Sequence, residues 1–218
     1  SDKTGGLTKE GNAVAGLHVS NYKVYQTEAK KYQSEIKKIN KQLTDDPYNQ
    51  KLIAHKEELV KSYQDAIADF YDHGCRYIQI DDTSWTYLID ETFLKKVDAL
   101  GYKKEEILDW FKRVSTKALD NKPEDMFIAT HFCKGNFKGN PLFHGFYDSV
   151  APVIAEIPYQ AFFVEYDDAR SGSFEPWKAL KDKDAIFVAG LISTKNPELE
   201  DHDEIKKRYE EAKAIVGD

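Results

Sequence analysis

Cysteine is nearly missing from the 218 residues: Cys75 and Cys133 are the only two. Two are too few for the disulfide framework of a small secreted domain, and a reducing, cytoplasmic setting is expected. An excess of positive charge is missing too. Lys and Arg number 31 against 38 Asp and Glu, for a formal net charge of -7. Neutralising phosphates takes a clustered surplus of Lys and Arg, so no nucleic-acid partner is expected. No run approaches the roughly 20 apolar residues that span a bilayer. The N-terminus also lacks the apolar core of a signal peptide, and no membrane association is expected. Methionine occurs once, at Met126, as in a processed product or a fragment. No internal repeat or low-complexity tract is present.

What is there suffices for a core, since 41% of the residues are hydrophobic and the length suits one large or two small domains. Residues 1–20, opening with "SDKTGGLTKEGNAVA", are polar and glycine-rich and are expected to form a mobile lead-in. From Tyr22 onward, Val24, Tyr25, Ala29, Tyr32, Ile36, Ile39 and Leu43 fall at helical spacing among Lys, Glu and Gln, which predicts an amphipathic helix. "TDDPYN" interrupts it, and Asp46 then Pro47 have the form of an N-cap with proline at the first helical position. A second helix is predicted through Leu59, Tyr63, Ile67 and Phe70, stopping at Gly74.

Beyond Gly74 short apolar runs alternate with helical stretches. "CRYIQI" leads into "DDTSW", "DMFIATHFC" into "KGN", "QAFFVE" into "YDDARSG", and "DAIFVAGLI" into "STKNPE". Helices are expected near 91–100, 106–119 and 203–216 and in "FEPWKAL". Four strands alternating with helices predict parallel β/α units. Asp81, Asp82, His131, Cys133, Glu165, Ser193 and Lys195 then all fall at or just past strand C-termini. In a parallel β/α barrel that is the face where active sites are built.

In "THFC" the histidine and cysteine are two residues apart, and on a strand both side chains project from one face. A lone His-x-Cys pair is also compatible with a buried cysteine beside a hydrogen-bonded core histidine. Glu165 alone is compatible with a helix-capping or salt-bridge residue. Together, imidazole, thiolate and carboxylate make a normal zinc shell that leaves one position for a substrate. Zinc there would lower the pKa of a substrate thiol and hold it as a thiolate. Activation of a zinc-bound water is the other chemistry open to such a set.

The stretches "YIQIDD", "THFCKGNF", "FFVEYDDARSG" and "VAGLISTKNPELED", in this order and spacing, resemble the catalytic domain of cobalamin-independent methionine synthase, especially its shorter relatives. The resemblance covers about residues 63–216. It implies a (β/α)8 TIM barrel, of which residues 21–218 would supply about four β/α units preceded by amphipathic helices. It also implies transfer of a methyl group from methyltetrahydrofolate, usually polyglutamylated, to the zinc-bound thiol of homocysteine. By position the resemblance assigns zinc to His131, Cys133 and Glu165. The family's Gln-Ile-Asp-Glu-Pro stretch appears as Gln79, Ile80, Asp81, Asp82 and Thr83. Asp81 would thereby grip the substrate amino group, with Asp82 and Ser193 beside it.

Two departures from the family pattern stand out. The family's fourth zinc ligand, a cysteine in a Cys-Gly pair after the next strand, is not reached before Asp218. Cys75 precedes the strand ending at Asp81 and is expected about 20 Å from that end, at about 3.3 Å per residue. The family's Asp-x-His-Ser-Pro-Arg is replaced by "STKNPE", which puts Lys195 where a histidine is thought to protonate the leaving pterin. An ordinary lysine, with a pKa of about 10.4, is a poor proton donor at neutral pH. Three readings follow: a zinc-dependent thiol methyltransferase of the methionine-synthase type, a relative using another donor or small thiol, or a non-catalytic barrel fragment. Four units leave open barrel edges, to be covered by the N-terminal helices, by self-association or by further polypeptide. A chain without the fourth ligand is expected to be nearly inactive.

Overall fold

The computed structural model describes residues 30–31, 34, 50–195 and 197–217. Of the helix expected from Tyr22 to Leu43, residues 30–31 and 34 are described, and they are helical. Its remainder, the lead-in and the Asp46–Pro47 cap lie outside the described residues. The chain divides into two compact units, Ser1–Arg76 with Lys117–Met126, and Tyr77–Thr116 with Phe127–Asp218.

The first unit is built on helix α1, Gln50–Asp72. Its apolar positions Leu59, Ala66 and Ile67 are buried, as the helical spacing requires. The helix stops at Gly74, whose φ of 89° is open to glycine at little cost. Gly74 N–H then reaches the Tyr71 carbonyl at 2.9 Å and Cys75 N–H the Phe70 carbonyl at 2.9 Å, the two bonds of a Schellman stop. Within this unit Asp125 accepts from Tyr71 Oη at 2.7 Å and from Arg76 Nε at 2.9 Å.

The second unit holds a four-stranded sheet in the order β1-β2-β3-β4, with every pairing parallel. The strands are β1 Tyr77–Asp81, β2 Phe127–Phe132, β3 Ala161–Glu165 and β4 Ile186–Gly190. Between them lie α2 Glu91–Ala99, α3 Lys104–Ala118 and the single turn α4 Ala151–Ile154; α5 His202–Val216 follows β4. A sheet in simple chain order is what successive strands of a barrel form. As described, these four strands form an open α/β sheet. No helix among the described residues is long and apolar enough to cross a membrane.

The two faces of the sheet differ. On one, Ile128, Thr130 and Phe132 of β2 and Phe162 of β3 are fully buried, and Val164 nearly so. Trp177 packs behind them, its ring centroid 6.2 Å from those of Phe132 and Phe162 and 5.5 Å from that of Phe187. The helical stretch expected in "FEPWKAL" is found as a 3-10 helix, Glu175–Leu180. Six residues with proline in the first turn gain few i→i−4 bonds, so the tighter coil prevails. On the other face only the small Ala129 and Ala161 are buried, while Tyr77 and Ile186 are 49% and 56% exposed.

Asp90 fastens the loop that follows β2. Its Oδ1 accepts from the Thr92 and Phe93 amides at 2.9 and 3.0 Å, capping α2, and its Oδ2 accepts from the His144 amide at 3.0 Å. The neighbouring Gly145, at φ 140°, could not carry a side chain, because a Cβ would lie 2.2 Å from the Ile89 carbonyl oxygen. Burial by itself would raise the Asp90 pKa, but the three amide bonds outweigh it and hold the carboxyl below its ordinary value. Asp90→Ala is expected to cost about 1–3 kcal/mol in urea unfolding at neutral pH. Because the folded pKa is depressed, the contribution is complete above the ordinary carboxylate pKa and fades as pH falls through the folded value. The gap between Asp90→Ala and the unsubstituted protein should therefore narrow in acid.

Candidate functional site

Parallel register brings the expected residues to one face. Asp81 pairs with His131, His131 with Phe163, and Glu165 with Gly190. In-register neighbours of a parallel sheet point the same way. Asp81, His131 and Glu165 therefore share the open face at the strand C-termini, and Cys133, two residues beyond His131, falls on the same side. His131 Nδ1 lies 3.2 Å from Asp81 Oδ1, and Gln79 Nε2 donates to the same oxygen at 3.0 Å. Cys133 is an electrostatic neighbour of the imidazole. Cys133 comes first in raising the His131 pKa above its ordinary value; burial opposes it and Asp81 adds to it.

Glu165 is turned to a different partner. Its Oε2 is 3.1 Å from Lys195 Nζ, and Asp167 Oδ2 takes the same ammonium at 2.8 Å. These three side chains are 12%, 8% and 3% exposed, so this is a buried ion triad. Burial would lower the lysine pKa, but the two carboxylates prevail and raise it. The ammonium stays charged, which favours an electrostatic role over proton donation. Ser193 Oγ donates to Asp167 Oδ2 at 2.7 Å, so that hydroxyl supports the triad. Asp82 is likewise engaged within the chain, accepting from Ser84 Oγ and, at 2.8 Å, from Trp85 Nε1. Burial raises its pKa despite those bonds.

Among the described residues no three His, Cys, Asp or Glu side chains stand together as a metal-binding group. Two of the expected donors, His131 and Cys133, project from the same side of β2 and are electrostatic neighbours. The third, Glu165, has the right register and face, with its carboxylate on Lys195. Donor chemistry and strand positions fit a zinc shell, while the Glu165 carboxylate is paired with Lys195. Cys75 belongs to the other unit.

Three residues that the sequence did not single out complete the site. Lys134, 2% exposed, sends Nζ to the Arg170 carbonyl at 2.6 Å, fastening the β2 loop to the β3 loop. Tyr147 is buried nearby with Glu165, Cys133 and Asp167 as electrostatic neighbours, and burial above all raises its pKa. Its hydroxyl and Asp167 Oδ1 are buried without a hydrogen-bond partner among the described residues. Asp167 was legible, because it stands two residues after Glu165 just as Cys133 follows His131. Lys134 and Tyr147 carry no local signal, since their positions depend on which loops meet. Asn136 Nδ2 also reaches Thr194 Oγ1 at 3.1 Å, so the β2 loop touches the β4 loop.

An NMR titration of the metal-free protein checks this electrostatic account. Cys133→Ser and Asp81→Asn are each expected to lower the His131 pKa, the cysteine change more. Because the folded pKa is raised, the stability from the charged ring is complete below the ordinary histidine value, about 6.5. It is lost as pH rises through the folded value.

No family model matches the chain. It is 38% identical over 176 residues to the Uncharacterized protein YxjG of Bacillus subtilis, covering 80% of this chain and 47% of that protein. To the Uncharacterized protein YxjH of the same bacterium it is 39% identical over 161 residues, covering 73% and 43%. The fold matches the crystal structure of the "Putative Vitamin-B12 Independent Methionine Synthase" from Listeria monocytogenes with a TM-score of 0.61. The identity there is 34%, over 80% of this chain and 47% of that one. The chain thus spans about half the length of the relatives it matches.

Proposed function

We propose that the chain is part of a zinc-dependent methyltransferase of the cobalamin-independent methionine synthase type, acting on the thiol of homocysteine or a similar small thiol. The observation that carries the reading is the arrangement of Asp81, His131, Cys133 and Glu165. They sit at the C-terminal ends of three consecutive parallel strands, on the one sheet face left open. The likeness to the Listeria protein supports it. In this reading the four strands belong to a (β/α)8 barrel whose remaining strands would cover the face on which Tyr77 and Ile186 are exposed.

His131, Cys133 and Glu165 would hold the zinc, which supplies a charge that keeps a substrate thiol deprotonated at neutral pH. The chain's own groups do the rest. Asp81 both orients the imidazole and offers a carboxylate to the substrate ammonium. Lys134 and the contact between Asn136 and Thr194 hold the strand-end loops together, so that donor and acceptor meet in line. Polyglutamylated methyltetrahydrofolate is the donor proposed. A relative with another donor is the second reading, favoured by Lys195: doubly paired with carboxylates, it has little tendency to protonate a leaving pterin.

Calorimetric titration with zinc and then homocysteine tests the proposal. One zinc per chain is expected, with homocysteine taken up only by the zinc-loaded protein. Asp81→Asn should weaken homocysteine binding by about 1.5–3 kcal/mol, the range of a lost charge-assisted hydrogen bond. Homocysteine bound equally with and without zinc, or unaffected by Asp81→Asn, would remove the substrate assignment.

A further inference from the structure

We infer that Lys195 is a resident counter-ion of Glu165 which an incoming metal ion must displace, its ammonium withdrawing onto Asp167. The inference rests on the zinc reading and concerns how that site is filled. Three observations converge on it. Lys195 Nζ bridges Glu165 Oε2 at 3.1 Å and Asp167 Oδ2 at 2.8 Å, with all three side chains nearly buried. Glu165 is also the expected donor whose carboxylate a cation already occupies, and among the described residues it forms no metal-binding group with His131 and Cys133. Asp167 Oδ1, moreover, is buried with no hydrogen-bond partner among the described residues, so the second carboxylate has an acceptor to spare.

A buried carboxylate needs a counter-charge, and without metal the lysine provides it. A divalent cation on the same carboxylate makes the ammonium redundant and repels it. The flexible lysine stem and the existing bond to Asp167 let the ammonium shift while staying paired. Asp167 is held for this by the Ser193 hydroxyl at 2.7 Å. Metal affinity is therefore set below what the donor set alone would give, because the Glu165–Lys195 pair must open first. In return, the metal-free strand end keeps its charges compensated.

The test measures zinc dissociation constants by competition with a chromogenic chelator. Metal-free protein, Lys195→Met and Lys195→Arg are compared, each with Glu165 intact and with Glu165→Gln. With Glu165 intact, Lys195→Met should tighten zinc binding about tenfold or more, since no pair has to open, while Lys195→Arg should stay within about threefold of the unsubstituted protein. With Glu165→Gln in place, Lys195→Met should have no effect. Equal tightening in that background would mean general charge repulsion and would overturn the inference, as would unchanged or weaker binding in Lys195→Met itself. If Lys195→Met does not fold, Lys195→Gln replaces it, being uncharged and still a hydrogen-bond donor. Zinc bound by none of the variants would overturn the zinc reading and this inference with it. Zinc bound by the unsubstituted protein but indifferent to Lys195 would overturn this inference alone.

Discussion

The parallel pairing of β1, β2 and β3 is the constraint on which the rest depends. Side chains alternate across a strand, so a slip of one residue in any pairing would send a whole set of side chains to the opposite face. The register is pinned by Ile128, Phe132, Phe162 and Val164, which must face Trp177 to be buried. Moving such residues into water would cost about 1.5–3 kcal/mol each. With that face fixed, Asp81, His131 and Glu165 have no choice but the other one. The chemistry of the open face is thus set by the apolar packing behind it.

A second consequence is that the strand-end loops must be tied to one another. Carboxylates, an imidazole and a thiol gathered in a half-buried place repel or desolvate one another unless each has a partner. The structure supplies those partners mostly as bonds from loop to loop: Lys134 to the Arg170 carbonyl, Asn136 to Thr194, and Asp167 to Ser193 and Lys195. Asp90 anchors the same β2 loop from the side of α2 through the His144 amide. The site is therefore a network of paired polar groups. Tyr147 Oη and Asp167 Oδ1 are among the buried atoms without a hydrogen-bond partner among the described residues.

Much of this was legible in the sequence where local rules operate. A strand in "DMFIATHFC" and a stop at Gly74 follow from apolar runs and glycine; the strand is found as Phe127–Phe132, and the helix ends at Gly74. The side-by-side placement of His131 and Cys133 follows from the two-residue period. The α/β alternation is found as a four-stranded parallel sheet, although barrel closure is not a property of four strands. What could not be read is whatever depends on non-local meetings. The bonds that the Asp82 carboxylate accepts from Ser84 and Trp85 follow from the turn after β1 and not from its place at a strand end. Glu165 looked like a metal ligand or a salt-bridge residue, and the Lys195 that decides its partner lies 30 positions later in the chain.

The central claim, that His131, Cys133 and Glu165 act on one ion that engages a substrate thiol, is most directly tested by zinc-edge X-ray absorption of the zinc-loaded protein with and without homocysteine. Without substrate the account requires one sulfur at about 2.3 Å from Cys133 and nitrogen or oxygen at about 2.0–2.2 Å from His131 and Glu165. Adding homocysteine should raise the sulfur count by one at the same distance. A shell of nitrogen and oxygen alone, or one that homocysteine leaves unchanged, would contradict it.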